Sequence, residues 1–410
     1  MSFIRILIFL MWSSPLLLLA SPFHVYDNIV NARYILIVLI IILIIIFQIN
    51  GKQIEVRTSI LSNNIVRKFH FLLVMFLLCL SIIVFVSLII GGSGIRENRE
   101  IFQNNYTLYN YVFVSTVFSS VIISLSQNSP RNYKIIASIS WVFCGLLLLL
   151  TGNRQFIFFS IVYLIFYKLG ISKYPGRLFI KVLFCILLIL ILAISFSVLR
   201  LDYILADDLG AYGKYMSILT GAKCDGALFC DNWTETIFQL LYAYLGLNYS
   251  GLTYSIDFFG LSGGASIGSI TFPVIFRRIE SLGFHSNLNE YIHNYDFYIS
   301  TIAGGNYSHF FSTMFGDVAS ESGFVGVVLF SFIVFILISY YIRVINGYGR
   351  EIDYMIFIFI CANLVFGFLQ FPFTEPFIFF AFINLFINSL IEFLGRISKK
   401  SLQNNGNGVA

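Results

Sequence analysis

The sequence predicts an all-α polytopic integral membrane protein, with about ten transmembrane helices and one large outer loop between spans 7 and 8. Three observations predict it. The chain has 410 residues, 58% hydrophobic and 11% charged, whereas about a quarter of an ordinary soluble domain is charged. Runs such as YILIVLIIILIIIF, Tyr34 to Phe47, are too long and too uniform for a core strand or an amphipathic helix. Lys and Arg also alternate in density from one connection to the next, as they do across a membrane. The net charge of +5 is therefore a matter of topology, and no nucleic-acid partner is expected.

A span needs about twenty mostly apolar residues. The candidates are 3–21, 33–50, 69–91, 108–125, 135–151, 155–172, 179–199, 323–342, 354–373 and 376–394. The first sits where a signal peptide would. Its apolar part is long and no A-x-A pattern precedes Ser21 and Pro22, so it is kept as a span. An even number of spans puts both termini on one side. With both in the cytoplasm, the inner connections hold sixteen Lys and Arg: Arg5, Lys52, Arg57, Arg67, Lys68, Arg131, Lys134, Lys168, Lys173, Arg177, Lys181, Arg343, Arg350, Arg396, Lys399 and Lys400. The outer ones hold nine, spread over many more residues. That bias follows the positive-inside rule.

Residues 201–322 form the one long connection, on the outer face. Loops of this length are functional or disordered. This one is rich in Tyr, Phe and Gly and free of low-complexity runs, which argues against disorder. It holds twelve of the chain's twenty acidic residues against four basic ones, Lys214, Lys223, Arg277 and Arg278. The adjacent Arg277 and Arg278 have two readings: an ion pair with a loop carboxylate such as Glu280, or an anion such as a phosphate that a guanidinium fork grips through two oxygens. Two apolar pieces, 237–246 and 267–276, are too short to span and read as re-entrant or surface-packed segments.

Of six cysteines, Cys79, Cys144, Cys185 and Cys361 lie within spans, where a thiol serves as a small apolar side chain. Cys224 and Cys230 lie in the outer loop. An outward-facing pair this close reads as a disulfide, and no histidine stands near enough to favour a metal site instead. His285, His293 and His309 cluster towards the loop's end, at spacings that match no common ligand pattern. No metal and no cofactor are expected.

The polar groups that bear on chemistry gather at two places. His309 precedes the eighth span, with Asp317 and Glu321 between them. Four residues apart, the two carboxylates share one face of any helix that begins there. Their plainer role would be to complement a helix dipole. The second place is TGNRQ, Thr151 to Gln155, a tight outward turn. Thirteen residues separate Arg154 from Lys168, about 20 Å of helix, so Arg154 lies below the outer interface unless Lys168 snorkels. An arginine at that depth is costly and marks a function.

One late large outer loop, the turn Gly152-Asn153-Arg154, and His309 followed by Glu321-Ser322-Gly323-Phe324-Val325-Gly326 together resemble the O-antigen polymerases, the oligosaccharide repeat unit polymerases of Gram-negative inner membranes. The resemblance covers the whole layout and rests on short motifs. It implies a glycosyltransferase that works at the periplasmic face in lipopolysaccharide biosynthesis. A glycan on undecaprenyl pyrophosphate is transferred to the non-reducing end of a second lipid-linked repeat unit. Arg154, Arg277 and Arg278 would stabilise the departing pyrophosphate, and His309, Asp317 or Glu321 would take the acceptor proton. Loop aromatics, among them Trp233, Tyr242 and Tyr295, would stack on sugars or simply pack. The partners implied are undecaprenyl-pyrophosphate-linked glycans, membrane lipids, a chain-length regulator and a flippase.

The O-antigen ligases share this plan and differ in using a lipid A core as acceptor. A flippase or transporter of lipid-linked oligosaccharide is a further reading. It is disfavoured because no internal repeat is evident and the acidic residues concentrate outside the spans.

Overall fold

The computed structural model describes residues 2–19, 32–49, 55–57, 59–91, 117–150, 155–181, 184, 252, 255–256, 260–261, 313–368, 372 and 376–406. Among these residues the chain is helical, without a strand. The elements are α1 (Ser2–Leu19), α2 (Ala32–Phe47), α3 (Asn64–Gly91), α4 (Arg131–Leu150), α5 (Gln155–Ile171), α6 (Met314–Tyr348), α7 (Glu351–Phe366) and α8 (Pro376–Gly406). Further helical stretches cover 117–125 and 175–181. Among the described residues three helices are long and apolar enough to cross a membrane: Asn64–Val86, Met314–Tyr348 and Phe377–Leu394. Ser2–Ser14, Arg33–Phe47 and Phe158–Ile171 are shorter apolar helices.

Helix ends differ from the expected spans wherever the sequence turns polar. The helix at 69–91 begins at Asn64, and the one at 376–394 runs on to Gly406. The span expected at 323–342 lies within a helix from Met314 to Tyr348. Backbone hydrogen bonding carries a helix past the apolar core into residues that hydropathy alone excludes.

The chain divides into two compact units. In the first (residues 1–51, 172–339 and 363–374), Trp12 is the anchor. Its indole sits 5.3 Å from the Phe315 ring and 5.6 Å from that of Phe368, and its Nε1–H donates to the Leu364 carbonyl at 2.8 Å. That carbonyl lies in the last turn of α7, where no intrahelical donor remains, so the indole satisfies it. Met314 N–H donates to Gly367 O at 2.7 Å, and a side chain at Gly367 would run into Met314 Sδ.

The second unit (52–171, 340–362 and 375–410) has an aromatic core. Phe118 stands 5.2 Å from Tyr163, and Phe159 stands 5.5 Å from Phe359 and 6.0 Å from Phe377. Hydroxyls tie α5 to α7: Tyr163 donates to Met355 O at 3.2 Å and Tyr354 to Tyr167 O at 2.8 Å. Gly170 has no side chain to displace that Tyr354 hydroxyl. α3 and α4 run parallel, since Phe71 stacks on Tyr133 at 3.8 Å near their starts and Phe85 meets Phe143 at 5.0 Å further along. Each buries a stripe holding Ser81 and Cys144, 3.3 Å apart, and exposes an apolar stripe on its other face.

Candidate functional site

Asp317 and Glu321 lie on the first turns of α6 and are buried, with 5% and 3% of their surfaces exposed. Local sequence sets them there. The Thr313 hydroxyl caps the helix by accepting from Gly316 N–H at 3.1 Å, and Thr313 O accepts from Asp317 N–H at 2.9 Å. Ser320 Oγ donates back to Asp317 O at 2.7 Å. Two residues after Glu321 the helix breaks. Gly323 has φ 65° and ψ −169°, a conformation open essentially to glycine alone. The next N–H, that of Phe324, donates out of the helix to Gly260 O at 3.1 Å. Past the break the chain passes so close to Ser322 that a side chain on Gly326 would meet its Cβ. Both glycines of Gly323-Phe324-Val325-Gly326 thus have backbone reasons to be glycine.

The carboxylates therefore stand on a short helical piece ahead of the break, at the end of the segment 201–322. The spacing argument brings Asp317 and Glu321 to one buried face. His309, Arg154, Arg277, Arg278, Cys224 and Cys230 lie outside the described residues. Cys79, Cys144 and Cys361 are free thiols. Among the described residues no group of three or more His, Cys, Asp or Glu is placed to hold a metal.

The second unit holds two polar arrangements that sequence reasoning missed. Glu351, at the start of α7, is 0% exposed and gathers donors from three other segments. Its Oε2 accepts from Ser59 Oγ–H at 2.6 Å, Ile60 N–H at 2.9 Å and Ser126 Oγ–H at 3.0 Å. Its Oε1 accepts from Tyr167 O–H at 2.7 Å and Gln127 N–H at 3.1 Å. The two serine oxygens are themselves 2.8 Å apart. Among the described residues no Lys or Arg pairs with this carboxylate; the neighbouring Arg350 grips Asp353 instead, with one contact of 2.6 Å. Five hydrogen bonds thus take the place of a counter-ion in offsetting the cost of burying the charge. Ser59, Ser126, Gln127 and Glu351 belong to connections that the charge count groups on one side. Next to them, Arg57 N–H donates to Gly349 O at 2.7 Å, and Gly349 takes φ 62°, where a side chain would run into that of Arg57.

The other arrangement crosses α3, α8 and the helix 117–125. His70 Nε2 lies 3.0 Å from Asn388 Oδ1. Asn388 Nδ2 donates to Asn384 O and Oδ1 at 2.7 and 2.8 Å, which fixes its amide and makes His70 Nε2 the donor. Asn384 Nδ2 donates to Ser119 Oγ at 3.3 Å. His70 Nδ1 is buried and has no partner among the described residues. One signal in the sequence pointed to both arrangements: an ionisable residue in or beside a membrane helix, in a chain with few charges. The donors, ordinary Ser, Gln, Tyr and backbone groups, carried no such mark.

No protein-family model matches this sequence, and comparison with curated proteins and with solved structures finds no relative of it.

Proposed function

We propose that the chain is an O-antigen polymerase: a membrane glycosyltransferase that joins undecaprenyl-pyrophosphate-linked oligosaccharide repeat units at the periplasmic face of the inner membrane. The observation that carries the reading is the buried pair Asp317 and Glu321 on one helix face, two residues ahead of the Gly323 break, in an architecture of long apolar helices. A carboxylate away from bulk water is a general base whose strength the protein sets, and a broken helix is how membrane proteins admit polar groups to a buried site. In this reading the acceptor hydroxyl oxygen attacks the anomeric carbon of the donor glycan. The bond from that carbon to the pyrophosphate oxygen breaks, undecaprenyl pyrophosphate leaves, and the hydroxyl proton passes to Asp317, Glu321 or His309. Arg154, Arg277 and Arg278 hold the leaving pyrophosphate.

The test is the lipopolysaccharide of a strain that lacks the chain, resolved on a gel and complemented with variants. Core plus a single repeat is the expected phenotype. Asp317→Asn or Glu321→Gln should fail to restore the ladder at normal protein abundance, with a loss on the order of 100-fold or more for whichever is the base. Bare core would point to a ligase or flippase, and an unchanged ladder would remove the proposal.

A further inference from the structure

We propose that the end of the α3–α4 pair bearing Arg67, Lys68, Arg131 and Lys134 is a docking site for an anionic phospholipid. The inference is independent of the catalytic reading. Because the two helices run parallel, their basic ends fall together around the Phe71–Tyr133 stack. None of the four cations is more than four residues from it, about 6 Å along a helix axis. Lys68 and Arg131 are exposed, and Arg67 and Lys134 are half-buried. Neither helix has an acidic residue in its first turn. Among the described residues these cations find only neutral partners: Arg67 Nη2 donates to Asn64 Oδ1 at 2.7 Å and Lys134 Nζ to Gln127 O at 3.5 Å. Four positive charges with no carboxylate on them among the described residues call for an anion from outside the chain.

The adjoining surface says what kind. Exposed apolar side chains follow directly on each helix: Phe69, Leu72 and Phe76 after Lys68, and Ile135, Ile139 and Val142 after Lys134. The spacing of three and four places each set on one face of its helix. An occupant that satisfies both features carries a phosphate anion and hydrocarbon chains in one molecule. Arginine suits phosphate through its bidentate fork, and basic groups at the cytoplasmic ends of membrane helices hold acidic headgroups in this way. An acidic soluble protein would meet the charges and leave the apolar stripes uncovered.

The experiment uses the full chain purified in mild detergent, with native mass spectrometry to read bound lipid and thermal unfolding to read stabilisation. Phosphatidylglycerol and cardiolipin should be retained at least tenfold over phosphatidylcholine, and inorganic phosphate should add no stability. Each surface cation contributes roughly a fivefold factor in lipid affinity, so Lys68→Gln with Lys134→Gln should lower retention roughly 25-fold. Those charges also help to set topology. Raising salt to about 0.5 M on the unmutated protein therefore gives a second measure, and it should lower retention as well. Equal retention of neutral and anionic lipid, stabilisation by inorganic phosphate alone, or indifference to both salt and substitution would overturn the proposal.

Discussion

Replacing Glu351 by glutamine keeps the side chain's volume and exchanges one oxygen for an NH2 group. The carboxylate accepts from three donors at Oε2 and two at Oε1. The amide has one acceptor, best placed where Oε2 stood, facing Ser59, Ser126 and the Ile60 N–H. Its NH2 then faces Tyr167 and the Gln127 N–H. The Tyr167 hydroxyl can turn and accept. The Gln127 N–H cannot turn, and it meets another donor. A buried donor left unpaired costs about 1–3 kcal/mol, and the three bonds that remain weaken from charge-assisted to neutral. Against this stands the relief of no longer burying a charge, which for a pair of ions is large enough to reverse the sign. With five donors already aimed at the carboxylate, the bonds should win, and Glu351→Gln should destabilise by about 2–3 kcal/mol. Glu351→Ala strands the Ile60 and Gln127 N–H groups and the Tyr167 hydroxyl together, about 3–6 kcal/mol. The assay is unfolding of the purified protein by SDS titration in mixed micelles, with the midpoints ordered wild type, Gln, Ala. A glutamine variant as stable as the wild type, or more so, would refute the reasoning, because the donors would then not be holding the fold together.

Other outcomes follow from the same structure. Gly323→Ala puts a side chain where φ is 65° and ψ −169°. It should cost about 1–3 kcal/mol and, if the chain is the polymerase proposed above, abolish the polymer ladder in cells, and a normal ladder would mean that the break is dispensable. Asn388→Leu leaves the His70 Nε2–H unpaired beside an Nδ1 that has no partner among the described residues. His70→Leu removes both nitrogens and leaves only the Asn388 Oδ1 acceptor without its donor, so on the same titration it should be the milder of the two, by about 1 kcal/mol. If Arg154 holds pyrophosphate through its planar fork, Arg154→Lys should lose most polymer formation at unchanged abundance, whereas loss in step with abundance would indicate a structural role. Alkylation of the unreduced protein should leave Cys224 and Cys230 unlabelled if they are bridged in an oxidising compartment, and labelling of both would refute the disulfide.

The sequence by itself determined the class of the molecule and one piece of its geometry. With 58% hydrophobic residues, membrane helices are the arrangement that satisfies every backbone group in hydrocarbon, and α3, α6 and α8 fall on the apolar runs that announce them. The i,i+4 spacing of Asp317 and Glu321 likewise put them on one face, because helical periodicity is a local property. Tertiary structure decided the rest. Gly323 in an apolar run reads equally as a packing glycine or a break, and the Gly260 carbonyl that receives the Phe324 N–H is 64 residues away in the chain. The scarcity of charge beside a membrane helix singles out Glu351, but nothing in the neighbouring sequence says what surrounds it. Its meaning comes from Ser59, Ile60, Ser126, Gln127 and Tyr167, brought in from other segments to surround one charge. Burial turns an ordinary carboxylate into the point that three connections must meet, since in a low-dielectric interior a charge without a counter-ion persists only where enough donors converge on it.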